Sequence, residues 1–184
     1  MKKIYEYSHL GGAEILQVHY PEILDEIDRV IASVKANRIK ISNEKTKKGK
    51  LLYDPKDMNS QFRKLFYERE YKELKDSYKI EIPNYDTVIR GAYKQIDFCK
   101  NRVLIEVQFG KYAFMFYDLA KFQYFFNENK AAVGIEIVPS HSLQKEMSSG
   151  VSYGEQLVYD IERLKRHFPA VPIKVIFIDV DTNL

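Results

Sequence analysis

Strand-length apolar runs at 103–109, 133–138 and 173–180 are separated by segments of helical spacing, and this alternation restricts the fold more than any other feature. Such runs build a sheet with helices laid on its faces. Ahead of them, 93–98 and 103–109 are two strand-like runs divided only by Cys99-Lys100-Asn101-Arg102, which predicts a hairpin with a four-residue loop. Earlier still, Ile23, Ile27, Val30, Ile31 and Val34 mark one face of a helix from Pro21 to Ala36, with Pro21 in its first turn. Residues 59–75 predict a second helix with Phe62, Leu65, Phe66 and Leu74 as its apolar face, broken at Ile82-Pro83-Asn84. Two more are expected at 112–127, with a broad aromatic stripe, and at 156–167. Residues 42–50 read as a lysine-rich loop, 51–53 as a short extended piece stopped by Asp54-Pro55, and 140–153 as a polar loop. Helix, hairpin, then helix–strand–helix–strand predicts an α/β fold, a mixed central β-sheet flanked by helices. With 184 residues and no repeat, linker or low-complexity tract, one domain over 1–184 is expected.

Charge and cysteine usage narrow the setting. The net charge of +3 and pI near 8.7 suit a polyanionic partner without requiring one. Lys45, Lys47, Lys48 and Lys50 crowd one stretch, and such a cluster meets phosphates more readily than bases. Cys99 is the single cysteine, so no internal disulfide forms and a reducing compartment fits. No apolar run has signal-peptide or membrane-span length, and a cytoplasmic protein is expected. His9, His19, His141 and His167 lack metal-ligand spacing, so zinc is not expected; there is no phosphate-binding loop and no dinucleotide fingerprint.

The chemistry lies in the hairpin. Side chains alternate along a strand, so Leu104, Glu106 and Gln108 share one face, and Val103, Ile105, Val107 and Phe109 share an apolar one. An acid and an amide therefore project opposite the core. With a four-residue loop, Phe98 lies opposite Val103 and Asp97 opposite Leu104, leaving Glu106 diagonal to Asp97 at about 7–8 Å between Cβ atoms. A one-residue slip would send Asp97 to the other face. Two carboxylates with no obvious cationic partner repel each other unless a cation bridges them, and hard oxygen ligands suit Mg²⁺. On spacing alone, two solvated acids on a half-exposed sheet are the commoner explanation.

An aspartate, a short spacer and then Glu-x-Gln on an apolar strand resembles the metal site of the PD-(D/E)xK nuclease superfamily, whose members mostly carry lysine where this chain has Gln108. The run IDFCKNRVLIEVQFGKY (96–112) is similar to type II restriction endonucleases of the BstYI/BglII group. Three further patches resemble the same group in the same order: EYSHLGGAEILQVHYPEI (6–23), EKTKKGKLLYDPKDMN (44–59) and KEMSSGVSYGE (145–155).

The resemblance implies a restriction-endonuclease-like core and a Mg²⁺-dependent cut, with Mn²⁺ able to substitute. Asp97 and Glu106 become the acidic pair at the metal, the backbone carbonyl of Val107 a further ligand, and Gln108 the group that orients a metal-bound water. A further residue from an earlier helix is common in the family; Glu70, Glu73 and Glu81 are candidates. Lys111 and Tyr112, directly after Gly110, match a loop that enters the major groove, where lysine can donate to guanine. Ser148 and Ser149 match a second recognition loop, and Lys45, Lys47 and Lys48 complete the expected DNA surface. Implied partners are double-stranded DNA with a palindromic site containing GATC, cut to leave 5′-phosphate ends, a second copy of the chain joined through helices within 12–40, and a companion DNA methyltransferase, all in a prokaryotic cytoplasm. A repair or recombination nuclease of the same superfamily, and a DNA-binding module without catalysis, are the competing readings.

Overall fold

A computed structural model describes residues 1–181; the end of the expected 1–184 domain, residues 182–184, lies outside the described residues. Strand β1 (Lys2–His9) opens the chain and is followed by helices α1 (Gly12–His19) and α2 (Pro21–Ser33). The hairpin β2 (Arg38–Ile41) and β3 (Leu51–Tyr53) leads to α3 (Pro55–Tyr67), β4 (Lys72–Ile80), β5 (Ile89–Lys100) and β6 (Val103–Val107). The rest is α4 (Tyr112–Asn127), β7 (Val133–Pro139), the short α5 (His141–Lys145), α6 (Gly154–Leu164) and β8 (Ile173–Asp179). Six strands form one sheet in the order β1-β8-β7-β6-β5-β4, and β2-β3 stand apart. The pairs β6–β7 and β7–β8 are parallel, whereas β1–β8, β5–β6 and β4–β5 are antiparallel. This is the expected mixed α/β architecture.

The sheet is covered on both faces. One core packs α2 and α3 (Ile23, Ile27, Phe62, Phe66) on Phe98, Val103, Ile105, Val107, Ile135 and Ile137. The other packs α4 and α6 (Met115, Leu119, Phe122, Leu157, Ile161) on Ile96, Leu104, Val138, Val175 and Phe177. Helix α4 lies close: a Cβ on Gly134 would stand 2.6 Å from the Phe122 ring, so the strand is bare where the ring presses on it. The face carrying Leu104, Glu106 and Gln108, expected to be half-exposed, is thus roofed by α4, because each parallel crossover lays its long helix, α4 or α6, there.

Other expectations are corrected. The chain starts with β1, whose exposed, charge-bearing pattern hides its pairing to β8. The helix expected over 59–75 is α3 followed by strand β4; Asp54-Pro55 starts α3, with the Asp54 carboxylate accepting from the Lys56 N–H at 3.0 Å, an N-cap followed by proline at the first position. The helical reading of 12–40 ends at Ser33, and 38–41 is β2. The loop 140–153 contains α5. The hairpin loop has two residues, not four: Asn101 and Arg102 both take positive φ (51° and 66°), as a two-residue turn that matches strand twist requires.

Candidate active site

With that shorter turn Phe98 pairs with Ile105, Cys99 with Leu104 and Lys100 with Val103. The register differs from the expected one by two residues, so the paired side chains of Phe98, Cys99 and Lys100 keep their faces. One step further along, Asp97 stands across from Glu106 instead of diagonal to it, and its backbone N–H approaches Glu106 Oε1 at 3.4 Å. On its other edge β5 is irregular: Leu74 pairs with Ile96 and Lys72 with Cys99, so β5 uses an extra residue in the interval holding Asp97 and Phe98. Such a bulge re-aims side chains. Ile96 turns to the α4 core and Phe98 to the α3 core, and half-buried Asp97 sits between them.

Asp97 thereby borders a cleft on each side. A cavity of about 400 Å³ toward α3 is lined by Lys56, Asn59, Ser60, Arg63, Asp97 and Val107. A second, of about 450 Å³ toward α4, is lined by Asp97, Glu106, Gln108, Asp118 and Lys121, with Tyr93 and Tyr117 at its rim. Lys56, Asn59, Ser60 and Arg63 are exposed, and their spacing makes them one polar face of α3. A helix expected to begin only at Asn59 leaves that face without its first turn, which is why sequence reasoning does not single it out.

The α4 cavity holds a group that was not foreseen. Lys121 Nζ lies 2.6 Å from Glu106 Oε1 and 2.7 Å from Asp118 Oδ1, so the expectation of no cationic partner is overturned. Glu106 and Asp118 side chains are each 3% exposed and that of Lys121 is 14% exposed. Burial and then the Asp118 carboxylate push the Glu106 carboxyl well above its usual range. Burial likewise raises Asp118. Burial opposes the Lys121 charge, but Glu106 and Asp118 outweigh it and hold that ammonium firmly protonated. The signal was present: on α4 the buried face runs Met115, Asp118, Leu119, Phe122, and a single acid in such a stripe, with lysine three residues on, marks an inward-facing pair.

Glu136 completes the acidic group. It lies beside Glu106 in the parallel register, at the same place in VGIEIV that Glu106 has in VLIEV. It is wholly buried beside Asp118, and among the described residues neither carboxyl oxygen meets a partner in hydrogen-bond geometry. Burial, then Asp118 and Glu106, push its pKa well above the ordinary 4.5. A carboxyl raised in the folded state contributes stability below its unfolded pKa, and that contribution is lost as pH rises through the folded one. Glu136→Gln removes this loss, so it is expected to stabilise the protein by about 0.5–2 kcal/mol near pH 8 and by less near pH 5. Urea midpoints at the two pH values check this; an equal change at both would mean that Glu136 is ionised in the fold.

Gln108 is fully engaged. Its Oε1 accepts from the Gly110 N–H and its Nε2 donates to Asp118 Oδ2, both at 2.8 Å. Gly110 leads into Lys111, which is exposed at the N-terminus of α4. The Tyr112 hydroxyl donates to Asp160 on α6. Gly110 also ties the second loop, its carbonyl accepting from the Ser152 N–H at 2.9 Å. The β2–β3 hairpin grips that loop: Lys40 Nζ donates to Ser148 Oγ at 2.6 Å, and the Ser149 N–H donates to Glu44 at 3.0 Å. Lys47 Nζ donates to the carbonyls of Lys145 and Met147 at 2.8 and 2.7 Å. Lys111, Ser148 and Ser149 thus come together near the end of β6, with exposed Lys45, Lys48 and Lys50 on the attached hairpin. Glu73 hydrogen-bonds Arg63 and Tyr67, and Glu81 pairs with Lys79; neither these two nor Glu70 lines either cavity.

The donors that converge are hard oxygens. Asp97 is accessible, Glu106 carries an oxygen besides the one Lys121 holds, and Val107 lines the same cleft as Asp97. These residues fit a divalent cation of the Mg²⁺ type, and the surplus of carboxylate over ammonium leaves negative charge for it to offset. Among the described residues no three His, Cys, Asp or Glu side chains are grouped to hold a metal by themselves.

A mixed sheet with two acids at the strand end, open to clefts rimmed by lysine and arginine, defines a nuclease-type site. The chain matches the profile described as restriction endonuclease BglII/BglIII over residues 4–178, and it belongs to that family. It is a type II site-specific deoxyribonuclease, a sequence-specific DNA endonuclease. It is similar to restriction endonuclease BglII complexed with a DNA 16-mer, at 25% identity over 99% of this chain and 78% of that one, with a TM-score of 0.76. Free BglII is similar in fold, at 21% identity over 99% and 82% of the two chains and a TM-score of 0.69. No curated protein matches the chain significantly. Enzymes of this class generally use a divalent metal. Among the described residues no helix is long and apolar enough to cross a membrane.

Proposed function

We propose that this endonuclease hydrolyses both strands of double-stranded DNA at a palindromic site containing GATC, with Mg²⁺ and alternatively Mn²⁺, leaving 5′-phosphate and 3′-hydroxyl ends. The observation that carries the reading is the placement of Asp97 opposite Glu106, between two clefts, with Lys111 following on the same strand end. Asp97, Glu106 and the Val107 carbonyl would hold the cation. Bound there, it would act as Lewis acid and lower the pKa of a coordinated water. Lys56 and Arg63 stand across the cleft from Asp97, where phosphate oxygens need positive charge. Lys111, Ser148 and Ser149 read bases, Tyr112 braces Lys111 against α6, and Lys45 and Lys48 meet the backbone. A two-fold site calls for a two-fold protein, so the enzyme acts as a homodimer, with α1 and α2 supplying the contact. The BglII complex with a DNA 16-mer supports duplex DNA as the substrate. Self-cutting is prevented by a companion methyltransferase, and the setting is a prokaryotic cytoplasm.

Digestion of a DNA of known sequence with Mg²⁺, followed by sequencing of the ends, tests this. Discrete cuts at GATC-containing palindromes with ligatable 5′-phosphates are expected. Cuts at unrelated sequences, or none with either metal, overturn it.

A further inference from the structure

Gln108 occupies the strand position that carries lysine in most nucleases of the resembled superfamily, yet an ammonium reaches the carboxylates here from α4. The groups form one chain of contacts. The Gly110 N–H can only donate, so it fixes the Gln108 amide with Oε1 toward itself and Nε2 toward Asp118. Asp118 therefore accepts from Gln108 through Oδ2 and binds Lys121 through Oδ1. Lys121, held at that end, meets Glu106 Oε1 at 2.6 Å. A lysine on a flexible stem does not by itself fix a carboxylate; one pinned between two buried acids does.

We propose that Lys121 is the positioning residue of the active site: clamped by Asp118, which Gln108 anchors, its ammonium fixes the Glu106 carboxylate through Oε1 and leaves Oε2 to the cation. The proposal rests on the nuclease reading of this site and gives Gln108 a role through Asp118 in place of direct contact with the attacking water. Groups that orient a metal ligand from behind typically carry 10–100-fold of metal affinity. Charge alone predicts the opposite sign, since removing a cation beside a metal site tightens metal binding.

The test is the affinity of the folded protein for Mn²⁺, read from the loss of the free-ion electron paramagnetic resonance signal, with single-turnover cleavage of a site-bearing duplex measured in parallel. Lys121→Met is expected to weaken Mn²⁺ binding by about 10–100-fold. Gln108→Ala, which removes no charge, is expected to weaken it by about 10-fold. The double variant should bind no more weakly than Lys121→Met, because both act on one chain of contacts. Unchanged or tighter Mn²⁺ binding by Lys121→Met overturns the proposal, and a double variant whose losses multiply removes Gln108 from the chain. If Lys121→Met does not fold, Gln108→Ala decides: an unchanged affinity sinks the idea. A parent protein that neither binds Mn²⁺ nor cuts DNA refutes the nuclease reading itself, whereas a cutting parent with an insensitive Lys121 refutes only this proposal.

Discussion

Asp97→Asn and Glu106→Gln are each expected to abolish Mg²⁺-dependent cleavage, by at least about 10³-fold in single turnover, while DNA binding should stay largely intact. Both replacements keep volume and remove the charge that would hold the cation, whose effect on a phosphoryl transition state amounts to several kcal/mol. The surroundings keep the two variants folded for different reasons. Asp97 is half-buried at a bulge outside the β5–β6 ladder, so its side chain carries little of the packing. At 106 an amide oxygen can still accept from Lys121, and one charge fewer beside Asp118 and Asp97 relieves repulsion. Thermal midpoints at or above that of the parent should accompany the absence of cleavage. Either variant cutting at near the parent rate would show that the cation is held elsewhere, and a parallel fall in DNA affinity would make the acids part of the binding surface instead.

Periodicity exposes those elements whose burial is one-sided or complete, and misses those whose partners are distant. Strands β6, β7 and β8 are legible as strands because each is a short, nearly continuous apolar run broken by a single charged residue, which is a local property. Helix α2 is legible because a single stripe faces the core. Strand β1 is not, since its residues are mostly half-buried or exposed without a clear apolar face and it exists by pairing with β8, at the far end of the chain. Strand β4 passes for a helix for a related reason: it lies at the sheet edge, its exposure alternates in the structure, but its charges also fit a helical face. Asp97 still comes beside Glu106, across from it and not diagonal as expected, because the error in loop length is two residues and side chains alternate with period two. Lys121 is out of reach of strand geometry. It is contributed by a helix whose aromatic stripe is broad, and its place beside Glu106 follows from how closely α4 seats on Gly134.

Replacing Lys111 by Ala is expected to cut discrimination between the cognate site and single-base variants by about 1–3 kcal/mol for each base it reads, roughly 5- to 150-fold. Lys111 is exposed shortly after β6, so its ammonium is available to a groove edge. The lysine loop was expected to act apart from base reading, yet the structure joins it to Ser148 and Ser149, and its members divide into two kinds. Lys45 and Lys48 are exposed; replacing both by Ala should weaken binding to every duplex alike and lower the slope of log affinity against log salt by about 0.9 for each phosphate no longer neutralised. Lys47 is committed to two carbonyls of the loop that carries Ser148, so Lys47→Ala should loosen that loop, reducing discrimination while leaving the salt slope nearly unchanged. Affinities of the three variants for cognate and one-mismatch duplexes over a salt series separate these outcomes. If Lys111→Ala loses affinity equally on all duplexes, Lys111 touches phosphate. Base reading then falls to Ser148 and Ser149, and Lys47→Ala becomes the variant with the larger loss of specificity.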